Sequence, residues 1–229
     1  MTENPFIASF QDPERIADHP DGPRRFAPGF EAMHRMTVIL LAERAGPQAH
    51  VLVLGAGGGL ELTALAQAQP GWRFTGVDPA APMLDLARRT MGADADRAEL
   101  VEGTIEAAPA GPFDAATCLL TLHFLQREER TATLRQMHDR LRPGAPLVVV
   151  HASFPQDEPA RSRWLDRYAA YAVASGVDPE VAEQARAAVS ATLPAMEPAD
   201  DEACLREAGF SDVELFYAAF TWRGWVATA

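Results

Sequence analysis

Cysteine is scarce in this sequence: Cys118 and Cys204 are the only two, and neither stands in a C-x-x-C pair or another metal-ligand spacing with the six histidines. A disulfide-stapled scaffold is excluded, no structural zinc is expected, and the chain is assigned to a reducing compartment, the cytoplasm. Basic charge is also short, with 20 basic against 32 acidic side chains and a formal net charge of −12. Such a field repels phosphate backbones and anionic lipid, so neither nucleic acid nor a membrane surface is expected as a direct partner. The opening MTENPFIASFQDPER has neither the basic start nor the apolar stretch of a secretory signal. No later run approaches the ~18 uninterrupted apolar residues of a membrane helix. Repeats of solenoid length and low-complexity tracts are missing too.

What is present is a globular composition, 48% hydrophobic over 229 residues, enough for one substantial domain with an attached subdomain. Pro5, Pro13, Pro20, Pro23 and Pro28 make residues 1–29 an irregular arm with at most short helices. Phe30 to Arg44 carries apolar residues at helical spacing and stops at Gly46-Pro47. Strands are then expected at 51–54, 73–77, 99–102, 113–120 and 147–150, separated by helices at 60–69, 82–91 and 127–141. Alternation of this kind implies a parallel sheet with right-handed crossovers. It breaks at residues 155–196, which hold helical stretches around 164–174 and 179–191 but no convincing strand, as expected for a lid over the sheet's carboxyl edge. A last helix at 200–208 precedes strands at 213–217 and 220–226, too close together for anything but a hairpin. The predicted fold is therefore α/β and Rossmann-like, a seven-stranded, mostly parallel sheet with an antiparallel last strand and helices on both faces. Its main domain comprises residues 30–154 and 197–229, with the helical lid, or substrate subdomain, at 155–196.

The stretch VLVLGAGGGL places Gly55, Gly57 and Gly59 in a G-x-G-x-G turn between a buried strand and a helix. Backbone can approach a ligand closely there. A dinucleotide fingerprint would need glycine at position 60, and the chain has Leu60. A nicotinamide-dependent dehydrogenase is therefore the weaker rival. FTGVDP ends the next strand in Asp78, whose carboxylate can accept hydrogen bonds from two ribose hydroxyls, cap the following helix, or do both.

These residues resemble the class I S-adenosylmethionine-dependent methyltransferases, in which an apolar strand, a G-x-G-x-G turn and an acid closing the next strand occur in the same order. EGTIEAAP, FDAATCLLTLHFL and LRPGAPLVVV continue the resemblance across residues 30–152. It implies S-adenosylmethionine, or S-adenosylhomocysteine as product, with Gly55, Gly57 and Gly59 beside the methionyl portion, Asp78 on the ribose, and Met83 and Ile105 against the adenine. Ala56, Pro79, Thr104 and Leu119 complete the expected cofactor wall. Val53 and Thr104 stand where that family commonly has acids. The chain is most similar to the carboxy-S-adenosylmethionine synthase branch, which modifies S-adenosylmethionine using prephenate. APGFEAMHRMTVILLAERA, TLHFLQREER, the 151–210 region and ELFYAAFTWRGWVA carry that similarity. In that branch a lid arginine binds the added carboxylate, and the matching position is Arg186; Phe30, Leu119 and His123 replace its tyrosine, asparagine and glutamine.

His123, just past the fourth strand, has an ordinary pKa of about 6.5 that suits a general base, though a capping or buried structural histidine has the same signature. His151, ending the fifth strand, is a second catalytic candidate on the same edge. Arg186 would pair with an anionic group if it faces the pocket, or stand in solvent if it does not. Trp164, Tyr168 and Tyr171 form a helical stripe that packs a core or walls a pocket, with Tyr168 and Phe30 as substrate-contact candidates. Glu128, Glu129 and Arg130 read as a solvated helix start. The expected activity is methyl transfer to a small, anionic molecule; carboxyl transfer to the cofactor and a non-catalytic binding module are the alternatives. A homodimer follows from the resemblance alone.

Overall fold

A computed structural model describes residues 22–229; Pro5, Pro13 and Pro20 of the expected arm lie outside the described residues. The chain runs α1 (Gly22–Phe26), α2 (Phe30–Ala42), β1 (His50–Leu54), α3 (Leu60–Ala68), β2 (Arg73–Asp78), α4 (Ala81–Met91) and β3 (Ala98–Glu102). There follow β4 (Ala115–Leu119), α5 (Arg127–Asp139), β5 (Pro146–Ala152), α6 (Ala160–Ala174), α7 (Pro179–Thr192), α8 (Pro198–Glu207), β6 (Ser211–Ala219) and β7 (Trp222–Thr228). Start signals explain several boundaries. Gln126 and Glu129 form a capping box at α5, and the Asp178 carboxylate accepts the Glu180 and Val181 N–H groups at the head of α7.

The strands lie in the order β3-β2-β1-β4-β5-β7-β6. Neighbours from β3 through to β5 are parallel, while β7 runs antiparallel to both β5 and β6. Strand order reverses between β1 and β4, and in open α/β sheets the crevice outside the carboxyl ends at such a point receives ligands. Both faces are covered, so β1 and β5 have no polar alternation. Val51, Val53, Val150 and Ala152 join the core under α2, α3 and α4, whereas Leu52, Leu54, Leu147 and Val149 join the core under α5 and α8.

Several element ends shift by a few residues from expectation, and at two places the shift changes what a residue does. The fourth strand is shorter: Phe113 makes only an isolated bridge to Leu141, and Leu120 turns to a left-handed φ of 56°. Phe220 is the hairpin turn and not a strand residue, with φ 50° and an exposed ring. Among the described residues no helix is long and apolar enough to cross a membrane, no three His, Cys, Asp or Glu side chains converge as a metal site would need, and both cysteines are free and buried.

Candidate functional site

A cavity of about 750 Å³ opens over the carboxyl ends of β1, β2 and β4. Its floor is made by the turns after the parallel strands: Gly55 to Gly58, Asp78 to Ala80, Gly103 to Glu106, and Leu119 to Leu125. Its rim comes from α1 and α2 (Phe26, Phe30, His34), from α6, α7 and the segment after α7 (Tyr168, Val189, Leu193), and from the β6–β7 hairpin (Thr221, Trp222). The hairpin secures the rim. Trp222 Nε1 donates to the Phe26 carbonyl at 2.9 Å, and the Tyr217 hydroxyl donates to the Pro28 carbonyl.

The glycines divide the work. A Cβ on Gly55 would meet Thr121 Oγ1 at 2.0 Å, and its φ is 77°, so only glycine lets the turn pass between strand and loop. Gly59 is different from expectation: it does not line the cavity but packs on α4, where a Cβ would meet Ala87 Cα at 2.7 Å. Asp78 ties the turns together. One oxygen accepts the Gly57 N–H at 2.9 Å, and the other accepts the Ala80 N–H at 2.9 Å. Burial raises its carboxyl above the ordinary range, and the two N–H groups offset part of that rise. Each carboxylate oxygen has a second lone pair, so both can still accept a hydroxyl.

Of the remaining predicted cofactor positions, Ala56, Pro79, Met83, Thr104, Ile105 and Leu119 all line the cavity, as do Phe30 and Tyr168. Thr104 Oγ1 donates to Glu106 Oε2 at 3.2 Å. Tyr168 stacks near Phe26, their ring centroids 5.3 Å apart.

Three predicted site residues take other roles. His151 is buried but absent from the cavity wall; strand alternation turns Ala152 toward the cavity and His151 to the opposite face. There its Nε2 lies 3.0 Å from Asp201 Oδ1 and its ring packs against Trp225. Arg186 does not line the cavity either; its Nε donates to Glu183 Oε2 at 2.9 Å and lies 3.7 Å from Asp166 Oδ1. His123 does line the cavity, yet its Nδ1 accepts the Ala152 N–H at 3.3 Å. Burial pushes its pKa far below the ordinary value, with His151 and Arg130 adding to the effect. The neutral ring therefore carries its proton on Nε2, making it a donor rather than a base.

Sequence reading also missed groups. Arg130 is not solvated but wholly buried; it pairs with Asp201 and donates to the Leu125 and Pro194 carbonyls at 3.1 and 3.0 Å. Glu61, in the first turn of α3, lines the cavity and is 6% exposed, and its Oε1 has no hydrogen-bond partner. The signal was present: Glu61 stands one helical turn before buried Leu65 and beside buried Leu62. No arginine lines the cavity among the described residues, and the chain contains no lysine at all. The acidic side chains at the wall, among the described residues, are Glu61, Asp78, Glu106 and Glu129.

Comparison with known proteins agrees with this geometry. A methyltransferase domain family matches residues 51–144, which span the glycine turn, Asp78 and β4. The carboxy-S-adenosyl-L-methionine synthase of Chromohalobacter salexigens is 30% identical over 227 residues, covering 96% of this chain and 84% of that protein. The chain belongs to the class I S-adenosylmethionine-dependent methyltransferase family, in its carboxy-S-adenosylmethionine synthase-like branch. The synthase of Aeromonas hydrophila is 26% identical over 226 residues, 96% of this chain and 91% of that one. Among solved structures, PigF with S-adenosylhomocysteine has a TM-score of 0.70 at 19% identity, covering all of this chain and 63% of that one. Human N-acetylserotonin methyltransferase, in complex with S-adenosylmethionine, has a TM-score of 0.68 at 14% identity, covering all of this chain and 59% of that one. This methyltransferase thus spans about 60% of the length of these structural neighbours, which share its fold. The cofactor is S-adenosylmethionine, and the cavity's chemistry is compatible with it: each Asp78 oxygen accepts one backbone N–H and keeps a further lone pair, and Met83 and Ile105 give an apolar stretch of wall.

Proposed function

We propose that this enzyme transfers a methyl group to a small, uncharged, largely apolar acceptor. The observation that carries the reading is the wall opposite the glycine turn, built from Phe26, Phe30, Tyr168, Phe154 and Trp222 with no arginine among the described lining residues. Among the described residues an anionic acceptor would find no cationic side chain beyond the cofactor's own sulfonium, and the wall carries acids instead, which disfavours an anion there. When bound, the cofactor supplies a methyl group already activated on a sulfonium. The chain's own task is to hold acceptor and cofactor in line and exclude water. The glycine turn and Asp78 fix the cofactor, the aromatic rim shields the site, and the His123 Nε2–H orients a polar atom of the acceptor. Residues 155–196 act as the lid, and Tyr168 and Phe30 contact the acceptor.

A second reading, carboxyl transfer to the cofactor from prephenate, is favoured by the 30% identity to the Chromohalobacter synthase. It requires a cation at the pocket, which Arg186 supplies only if it leaves Glu183 and Asp166. Incubation with S-adenosylmethionine and either prephenate or a panel of uncharged aromatic alcohols and amines, read by mass spectrometry, separates the two. The proposal predicts S-adenosylhomocysteine with a methylated acceptor. A carboxylated nucleoside formed only with prephenate would replace it with the second reading, and cofactor binding with no product from either would favour a non-catalytic module. The two buried free thiols support a cytoplasmic location. The exposed Leu215 of edge strand β6 supports a homodimer, which light scattering tests.

A further inference from the structure

We propose that Glu61, on helix α3 at the floor of the cavity, is the receptor for the ammonium group of the cofactor's methionyl portion. The inference rests on the cofactor assignment above. Val53 pairs with Thr117 across β1 and β4, and both side chains face the core beneath α3, because Val51, Val53, Ala115 and Leu119 belong to it. The Glu61 carboxyl lies beside the Thr117 hydroxyl. It therefore covers the strand pair nearest the glycine turn, at the floor of the cavity.

An acid in this place has no structural justification. Its Oε1 has no partner, no cationic side chain acts on it, and its strand neighbour Val53 is apolar. A leucine would pack as well and avoid burying an unsatisfied polar group. From β4 it faces only the Thr117 hydroxyl and, through the strand, the Cys118 thiol, which burial and Glu61 itself keep protonated. What the position lacks is a cation, and the aminocarboxypropyl end of S-adenosylmethionine brings one.

Burial pushes the Glu61 carboxyl up to about 8, the Thr117 hydroxyl offsetting part of the rise. In the free protein near neutral pH it is a carboxylic acid. On binding, its O–H bond breaks, the proton leaves to solvent, and the carboxylate accepts an N–H of the ammonium, which keeps its own charge. Cofactor affinity should therefore climb with pH until about 8 and level off above.

The test is calorimetry with S-adenosylhomocysteine and with 5′-methylthioadenosine, which has the same adenosine and thioether but no amino-acid end, in two buffers of different ionisation enthalpy. The wild type should release close to one proton per S-adenosylhomocysteine at about pH 6.5 and none with methylthioadenosine. Glu61→Gln should weaken S-adenosylhomocysteine about ten- to hundredfold, leave methylthioadenosine unchanged and abolish the buffer dependence. The proton-release measurement needs no variant, so it decides the matter even if Glu61→Gln fails to fold. Tight binding of S-adenosylhomocysteine by the wild type without proton exchange would overturn this inference alone, as would equal loss of both nucleosides in Glu61→Gln. A wild type that binds neither nucleoside would overturn the cofactor assignment with it.

Discussion

Glu61 and Asp201 are both buried acids, one on each face of the same sheet, each with one oxygen lacking a hydrogen-bond partner, and they differ in whether a cation stands beside them. Asp201 sits in the first turn of α8 with Arg130 and His151 against it. Burial alone would raise its carboxyl, but His151, Arg130 and Ser153 outweigh that and hold it below the ordinary range. Glu61 sits in the first turn of α3 beside a hydroxyl and no cation, and burial governs it. The Asp201 cluster is closed: it joins α5, α8, β5 and the Pro194 carbonyl that follows α7, away from the cavity. The Glu61 site is open on its cavity side. A buried charge whose partner comes from the same chain holds the fold together, whereas one whose partner is missing marks where a ligand belongs.

The contrast is most severely tested by removing each acid. Asp201→Ala leaves the Arg130 guanidinium buried without its carboxylate, and should cost about 3–5 kcal/mol in urea unfolding, with nucleoside affinity unchanged in whatever remains folded. A loss below about 1 kcal/mol would show that the cluster is not a brace. Glu61→Gln should do the reverse in the ligand-free protein. The folded-state pKa of Glu61 is raised from 4.5 to about 8. Its contribution is therefore fully present below pH 4.5 and lost as pH rises toward 8, because the folded state retains a proton that the unfolded state releases. Urea melts should show wild type and variant alike near pH 5, with the variant ahead by on the order of 3 kcal/mol at pH 8. Equal stability at both pH values would mean that the carboxylate already has a partner.

Asp78 is intermediate, buried yet satisfied by two backbone N–H groups. Asp78→Ala should weaken S-adenosylhomocysteine about tenfold to a hundredfold by calorimetry while destabilising the glycine turn by no more than about 2 kcal/mol. Unchanged affinity in a folded variant would remove the ribose assignment. Arg186→Ala sets the baseline for a charge that is neither enclosed nor facing the cavity. Its ion pairs with Glu183 and Asp166 are surface pairs, so stability should change by less than about 1 kcal/mol and nucleoside affinity not at all. A marked loss of anion binding would restore Arg186 to the pocket.

The scaffold was legible because its signals are local. Apolar β1 followed by Gly55, the acid at the end of β2, and the two-residue gap between β6 and β7 each follow from a few adjacent residues. What escaped depends on parity or on distant partners. β5 reads PLVVVHA and is buried on both faces, so nothing in its pattern says which face His151 takes. Arg186 stands in EQARAAV, where alanine on every side gives no apolar stripe to orient the helix. Arg130 looked solvated because its carboxylate is 71 residues away. Glu61 alone was within reach, an acid on the buried stripe of a short helix.

The position of β7 has a consequence for how the molecule comes into being. It is the last strand in the chain, yet it lies inside the sheet, between β5 and β6. During synthesis β5 must wait with an open edge, and β6 emerges before it has any neighbour to pair with. The rim around Phe26 and Pro28 waits as well, since Trp222 and Tyr217 supply its anchoring hydrogen bonds. A nascent chain halted before Trp222 would hold the glycine turn and Asp78 in place under an unfinished roof, with the β5 edge free to pair with a neighbouring polypeptide. Competence to enclose a ligand therefore arrives when β7 slides into its slot between β5 and β6 and the hairpin ties Phe26 and Pro28 to the cavity rim.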